Sequence, residues 1–591
     1  MVAGSVVRTI SEPAAALFGQ LPTKKAATWL PFLLNPDLRL FNPHAGRLAP
    51  PTKSVQSEKS VESVVQTLSY AATGSFSSLL TDYLAQKPAL TPFYHRFPTL
   101  ESFADQITEK QASYTPAARK RLVDALRRQY GYAPAPAIEA NLLLLAEPTT
   151  FTVTTGHQLN LLTGPLYFIY KIVTAIKLSR QLKAAYPQYD FVPVYWMATE
   201  DHDFAEINHF SLFGKTFAWD AAGTGGPVGR LALDGLEEQL LSQLPPEVPA
   251  AFRAAYIGAA TLAEATRRLA DALFAEFGLV TLDADRPALK QALVPVLEKE
   301  IREQASNAAV QATNARLSAA GYKPQVYSRP LNLFFLTAEG KRERLEPDAN
   351  GADCVEVTIR NTARCHNQAE LLALAQEHPE QFSPNVVLRP LYQEILLPNL
   401  AYIGGGAEVA YWFQLKDVFA AYGVPFPIVL PRNSALYISR ANGGKLRKLG
   451  LTSLDIFKPL TELKKQVGAT LGQEEISLKV QQQALAASFQ QVQDLAQRLD
   501  PTLVKTVAAE AQKAAAGLAG LEKRLSKAAE MKHETAYSQL GALKDKLFPD
   551  NGLQERSENV LSILINNPAF IEQLLAEFEP LALEFTVLEE E

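Results

Sequence analysis

The run Thr155-Gly156-His157-Gln158-Leu159-Asn160-Leu161-Leu162-Thr163-Gly164-Pro165 decides how this chain is read. Before it, residues 149–155 alternate Phe151 and Val153 with polar neighbours, the pattern of a β-strand. After it, Leu166, Ile169, Val173 and Ile176 recur at helical spacing, and residues 191–198 are again strand-like. This β-loop-α-β order predicts a parallel strand pair with a right-handed crossover. A second polar cluster, Glu200-Asp201-His202-Asp203, follows the second strand. Two polar clusters at successive strand ends of one βαβ unit are where an open α/β fold builds a ligand crevice. An enzyme of the nucleotide-fold kind is the leading expectation.

A chain of 591 residues is too long for one core, so several domains are expected. A net charge of -5 and a pI of about 6.0 point away from nucleic acid and anionic membranes as partners. No apolar run approaches the roughly 18 residues of a membrane helix. The start, Met1-Val2-Ala3-Gly4-Ser5, lacks the basic-then-apolar order of a secretory signal. Cys354 and Cys365 are the only cysteines, which excludes a disulfide framework and a four-thiolate zinc site. A cytoplasmic protein is expected.

Residues 1–63, with Pro43, Pro50 and Pro51 and a polar run over 53–60, are expected to be a disordered extension or a misassigned start. No Met lies between Met1 and Met197, so a later start needs another codon, at Val61, Val64 or Val65. Residues 64–212 are read as the N-terminal part of a Rossmann-like core. Residues 213–380 are read as an inserted α/β connective domain, with helices over 261–277 and 287–320 and a short strand at 325–327. Residues 381–450 return to the core, with β character at 386–391, 400–403 and 426–430 and a helix over 407–422. Within 451–547, Leu478, Leu485, Val492 and Leu499 are seven apart, as are Val504, Ala511, Leu518 and Leu525, with Asp500-Pro501 between the runs. That pattern predicts an antiparallel coiled-coil hairpin. Residues 548–591 are expected to pack back on the core.

The loop after Gly156 is not a Walker A motif, and its glycines are too far apart for a dinucleotide fingerprint. It offers amides at a helix N-terminus with Thr155, His157, Gln158, Asn160 and Thr163, a setting for a phosphate or carboxylate, and Lys171 could add charge. The bland reading is a β-to-α connection capped by Thr163. In Glu200 to Asp203 a carboxylate can orient the imidazole and raise its basicity, which suits proton removal from an amine. His157, His202 and His209 with a carboxylate could instead hold a metal, or the cluster could be a solvated loop. Gly404-Gly405-Gly406-Ala407-Glu408 lets backbone approach a ligand closely, unless it is a structural turn and Tyr411 and Trp412 are core aromatics. Arg389 and Arg432 sit at the edges of β runs and could bind an acidic substrate or serve as ion-pair residues.

These runs, with Tyr167, Trp196, Asn208 and the later Phe548-Pro549-Asp550-Asn551-Gly552-Leu553-Gln554-Glu555-Arg556, resemble the bacillithiol-biosynthesis cysteine-adding enzymes, BshC. The likeness runs from about Val65 to the end. It implies a Rossmann-like core related to class I aminoacyl-tRNA synthetases, inserted connective domains, a C-terminal coiled coil and a homodimer. It also implies a cysteine ligase that joins cysteine to glucosaminyl-malate by an amide bond, with adenine-nucleotide (ATP) binding; no metal is expected, because Cys354 and Cys365 lie far along the chain from the motifs. Position 157 departs from the family, where Gln is expected. The Lys-Met-Ser-Lys-Ser signature of the synthetases is absent, and Pro431-Arg432-Asn433-Ser434 is its nearest counterpart.

On this reading His202, oriented by Asp203 or Asp201 and accompanied by Glu200, takes the amine proton. Anionic groups rest on the amides after Gly156 or at Gly404 to Gly406, and Arg389 or Arg432 recognises the malate carboxylates. Gly164, Tyr167, Trp196, Asn208, Glu408, Tyr411 and Trp412 complete the expected binding set. Two further functions stay open: an adenylate-forming ligase for another amine, and a nucleotide-binding coiled-coil scaffold.

Overall fold

Thr150–His157 forms the central strand, β1, of a five-stranded parallel sheet. Asp190–Met197 is β2, Val280–Asp283 is β3, Asn399–Gly404 is β4 and Ile428–Pro431 is β5, in the spatial order β5-β4-β1-β2-β3. Both faces are buried, as all-parallel sheets require. Phe151, Val153, Ile403 and Leu430 pack one face against helix α1, Tyr167–Ala185, while Val194, Trp196 and Tyr402 face the opposite core. Register between β1 and β4 is pinned by Asn399, whose Oδ1 accepts from the Thr152 and Thr154 hydroxyls at 3.1 and 2.8 Å. The chain runs outward from β1 through β2 to β3, then returns to β4 on the other side. The topological switch therefore lies between β1 and β4.

This computed structural model describes residues 63–591 apart from 132–133, 222–223, 348–356, 362–364, 473–476 and 532. The disordered extension expected over 1–63 falls outside the described residues except for Ser63, as does Cys354. Ser63–Leu68 is a strand antiparallel to Phe585–Glu590, which in turn runs parallel to Ser434–Ile438. The chain's last strand thus joins the first described one to the segment after β5.

Several sequence expectations shift. Strand β3 lies inside 213–380 yet belongs to the central sheet, so that stretch is not one separate insertion. A second, antiparallel sheet contains Leu333–Leu336 and Arg342–Pro347 from that stretch and Phe382–Pro384 from just beyond it. Residues 325–327 form no strand. The run expected as β at 386–391 enters helix α2, Arg389–Leu396, because a short apolar run does not distinguish buried strand from buried helix. The helix expected over 407–422 is two, α3 at Gly406–Trp412 and another at Lys416–Tyr422.

Lys479–Leu499 (α4) and Val504–Met531 (α5) fold back on each other, with Gln482 Nε2 donating to Glu522 Oε2 at 2.9 Å across the hairpin. The strict seven-residue reading is only half right. Leu485, Val504, Ala511 and Leu518 are shielded, whereas Val492, Leu499 and Leu525 stay exposed. A straight helix turns 3.6 residues per turn, so a strict heptad drifts off a short seam.

Candidate functional site

A cleft of about 680 Å³ opens at the C-terminal ends of β1, β2 and β4, over the topological switch. Its floor is tight. A Cβ on Gly156 would lie 3.2 Å from the Tyr402 hydroxyl and 3.6 Å from Arg389 Nη1. Lys171, on α1, donates to the Gly156 carbonyl at 2.7 Å and pairs with Glu408 Oε2 at 2.5 Å. Glu408 also accepts from the Tyr402 hydroxyl and the Gly405 amide, both at 2.7 Å. Burial alone would raise the Glu408 carboxyl, but Lys171, the Gly405 amide and Tyr402 hold it below its ordinary value. Burial lowers Lys171 in spite of Glu408. This buried pair ties α1 to the β4–α3 turn.

Part of the expected anion cradle of glycine-loop amides is already used within the loops. The Gly405 N–H is spent on Glu408. In the first loop Leu162 N–H donates to the Tyr256 hydroxyl, Gly164 N–H to the Leu161 carbonyl, and Leu166 N–H to the Glu558 carbonyl. Thr163 does not cap α1, which starts at Tyr167; its φ is 75°, next to Leu162 at 48°. Asn160 and Thr163 line a separate cavity of about 10 Å³. Thr155 turns away and donates to the Ile403 carbonyl at 2.9 Å. Gly164 sits in the turn, Gly404 ends β4, and Trp412 is a core ring stacked on Tyr402 at 4.3 Å.

Cations add to the anion chemistry of the cleft. Arg389 donates to Gln393 Oε1 at 3.0 Å, and its Nη2 has no acceptor among the described residues. Arg432, just after β5, donates through Nη2 to Glu555 at 2.6 Å and through Nη1 to Ser434 Oγ at 2.8 Å. Its Nε is likewise buried without an acceptor among the described residues. Each is a donor that a carboxylate or phosphate oxygen would satisfy. Trp196, Tyr167 and Tyr411 line the walls beside them.

The Glu200 to Asp203 cluster is arranged differently from the expectation. Arg342 Nη1 donates to His202 Nδ1 at 2.8 Å. Guanidinium has no acceptor, so Nδ1 must be the unprotonated nitrogen and Nε2 carries the hydrogen of the neutral ring. In this contact Arg342 takes the Nδ1 lone pair, and the same nitrogen lies 3.5 Å from Asp201 Oδ1. Asp201 accepts from the His202 backbone N–H at 2.7 Å and from Gln158 Nε2 at 2.5 Å, and Arg342 lies 3.6 Å from it. Burial pushes the Asp201 carboxyl up, but the His202 ring beside it, Arg342 and the Gln158 and backbone hydrogen bonds outweigh it and hold it well below the usual range. Asp203 does not touch the ring: it caps the short helix Phe204–Ile207 through the Glu206 N–H.

Glu200 forms a buried ion pair with Lys290 beneath the cleft wall, and burial raises its carboxyl despite that partner. Asn208 contacts His209 outside the cleft. His157 is packed between the Tyr167 and Phe168 rings, and burial, with Lys171 and Arg432, drives its pKa well down. Among the described residues, no group of three or more His, Cys, Asp or Glu is placed to hold a metal ion.

Sequence reasoning missed the opposite wall. Phe334, Arg342 and Arg344 from the antiparallel sheet, with Tyr327 and Arg329, face Glu200 to His202. The Arg342 guanidinium stacks 3.9 Å above the Phe334 ring. Their strand register held a clue, since residues two apart on a strand share a face. Glu206 also lines the cleft; burial and the Asp201 and Asp203 charges raise its carboxyl.

Residues 64–433 match the family described as bacillithiol biosynthesis BshC, N-terminal Rossmann-like domain, and residues 435–590 match the BshC C-terminal coiled-coil domain. A relative from Flavobacterium johnsoniae, named as a candidate cysteine ligase BshC, is 41% identical over 531 residues, covering 88% of this chain and 99% of its own. Relatives of the same name from Cytophaga hutchinsonii and Salinibacter ruber are 40% and 32% identical, each over 85% of this chain and 95% and 94% of theirs. A Mycobacterium tuberculosis methionyl-tRNA synthetase bound by methionyl-adenylate aligns at 10% identity and a TM-score of 0.22 over 72% of this chain and 92% of its own, a level at which nothing carries over.

Proposed function

This chain belongs to the BshC family of bacillithiol biosynthesis, and from that membership we propose that it is a cysteine ligase forming the amide between cysteine and the amino group of glucosaminyl-malate. The observation that carries this reading is the pair of unsatisfied buried guanidinium donors, Arg389 Nη2 and Arg432 Nε, in a cleft of about 680 Å³. They suit the carboxylates of malate or the phosphates of an adenine nucleotide.

Amide formation in water needs an activated carboxyl, and activation of cysteine by ATP supplies that driving force. His202, fixed by Arg342 and presenting Nε2–H, donates to an oxygen on which charge builds. The amine proton passes to Glu206, which lines the cleft and whose carboxyl is raised, making it a stronger base than an ordinary glutamate. The assignment of the proton acceptor thus moves from the imidazole to a carboxylate. We further propose a cytoplasmic homodimer. The exposed Leu499 and Leu525 leave apolar surface on the hairpin for self-association; no helix among the described residues is long and apolar enough to cross a membrane.

Incubation of the purified chain with cysteine, glucosaminyl-malate and ATP tests the reading. The expected product has the mass of both substrates less one water, with AMP and pyrophosphate released. Product formed equally well with another amine, or no product with any, would favour the other-amine ligase and the scaffold respectively.

A further inference from the structure

The run 548–556, so far met only as the source of the Glu555 that pairs with Arg432, reaches the cleft from the coiled-coil end of the chain. After helix Glu534–Leu547, Asp550 and Asn551 reverse the backbone with φ of 51° and 58°. Gln554 then accepts from the Tyr437 N–H at 3.0 Å and donates to the Tyr437 carbonyl at 3.1 Å, docking the run on the strand after β5. Three residues beyond the run, the Asn559 amide donates to the Leu162 and Gly164 carbonyls at 2.8 and 2.6 Å, gripping the first loop. The segment is anchored on both walls.

Between these anchors, Glu555 and Arg556 point to different tasks. Glu555 is fully buried and takes Arg432 Nη2 at 2.6 Å, the Ser434 hydroxyl at 3.2 Å and the Ala435 N–H at 3.1 Å. With Nη1 held by Ser434 and the Asn433 carbonyl, the guanidinium cannot rotate, and Nε is left over as the unsatisfied donor. Arg556, the next residue, is exposed and lines the cleft with Arg432 and Tyr167. The Arg432 guanidinium lies 5.3 Å from the Tyr167 ring centre. Burial raises the Tyr167 phenol, and the Arg432 and Arg556 charges both pull against that rise.

We propose that the cleft is completed by an oxyanion clamp built from two domains. Glu555 is a positioning residue that holds Arg432 with Nε toward the ligand, and Arg556 closes on the same carboxylate or phosphate from the solvent side. This rests on the ligase reading and adds that the coiled-coil domain supplies part of the substrate site.

Calorimetric titration of the full chain tests it, using glucosaminyl-malate, its carboxylate-free analogue methyl glucosaminide, and ATP. Arg556→Gln, on an exposed side chain, is expected to weaken one anionic ligand about tenfold, the scale of one charge-assisted contact, while leaving methyl glucosaminide unchanged. Glu555→Gln should do the same and Glu555→Asp should partly restore binding. Circular dichroism separates a misfolded Glu555 variant from a folded one. Loss confined to glucosaminyl-malate assigns the clamp to malate carboxylate, and loss confined to ATP assigns it to phosphate. Arg556→Gln binding every ligand as the wild type does, or losing the carboxylate-free analogue equally, overturns the clamp alone. A wild-type chain that binds neither anion overturns the clamp and the ligase reading together.

Discussion

Glu408→Gln removes one charge from the cleft floor and leaves the shape nearly unchanged. Glu408 faces three donors, the Lys171 ammonium at 2.5 Å and the Tyr402 hydroxyl and Gly405 N–H at 2.7 Å. A glutamine offers one acceptor oxygen, and its NH₂ would be turned toward a donor. The Lys171 side chain is only 4% exposed. Its cation would then be buried without a counter-charge, a defect that costs about 3–5 kcal/mol when one member of a buried pair is removed. The expected fall in the melting temperature of the core is on the order of 10 °C.

The pH dependence of this variant has a definite sign. Burial already depresses Lys171 and Glu408 opposes that shift, so the variant depresses it further. Between its folded value and the unfolded lysine value of roughly 10.4, the unfolded chain binds the extra proton, and stability rises with pH. The deficit against wild type should be largest near pH 6 and shrink as pH rises through the Lys171 folded value. Denaturant unfolding followed by tryptophan fluorescence at several pH values reads this directly, because Trp196 and Trp412 are buried in this core. A deficit below about 1 kcal/mol, or one constant with pH, would refute the claim that Glu408 serves to neutralise Lys171.

Other consequences are separable. Asp201, held well below the usual carboxylate range, contributes stability that is present above about pH 4 and is lost as pH falls through its folded value; Asp201→Asn should flatten that acid limb of a stability titration. Gly164→Ala should destabilise the chain by about 1–3 kcal/mol, because its φ is 61° and a Cβ would meet the Asn160 Cβ at 2.5 Å, with thermal denaturation as the readout. Nitrogen NMR should find His202 as the neutral Nε2–H tautomer, and Arg342→Gln should release Nδ1 and mix the tautomers; an Nδ1–H ring in the wild type would contradict the donor role. Paired Leu499→Ser and Leu525→Ser changes should shift sedimentation toward monomer with little loss of fold, since both side chains are about half exposed or more in one chain.

What the sequence disclosed follows the range of each interaction. The loop after Thr155 and the cluster after Trp196 were legible because strand-end placement depends on local periodicity, and 15 of the expected binding and catalytic residues line one cleft. Their roles were not legible. Whether Gly405 N–H meets a ligand or Glu408, and whether His202 Nδ1 is free or held by Arg342, is decided by partners distant along the chain or by local turn geometry. Arg342, Arg344 and Phe334 reach the cleft through an antiparallel sheet whose position no pattern in 213–380 reveals. Glu555 and Arg556 come from beyond the coiled coil, and only tertiary docking brings them to Arg432.

The central claim is that this chain adds cysteine to glucosaminyl-malate, and the most direct measurement is mass spectrometry of the thiols and their precursors in cells with and without its gene. The account predicts that bacillithiol disappears, glucosaminyl-malate accumulates, and the wild-type gene restores both while an Arg389→Gln, Arg432→Gln form does not. Unchanged bacillithiol in the deleted strain, with no build-up of glucosaminyl-malate, would contradict it.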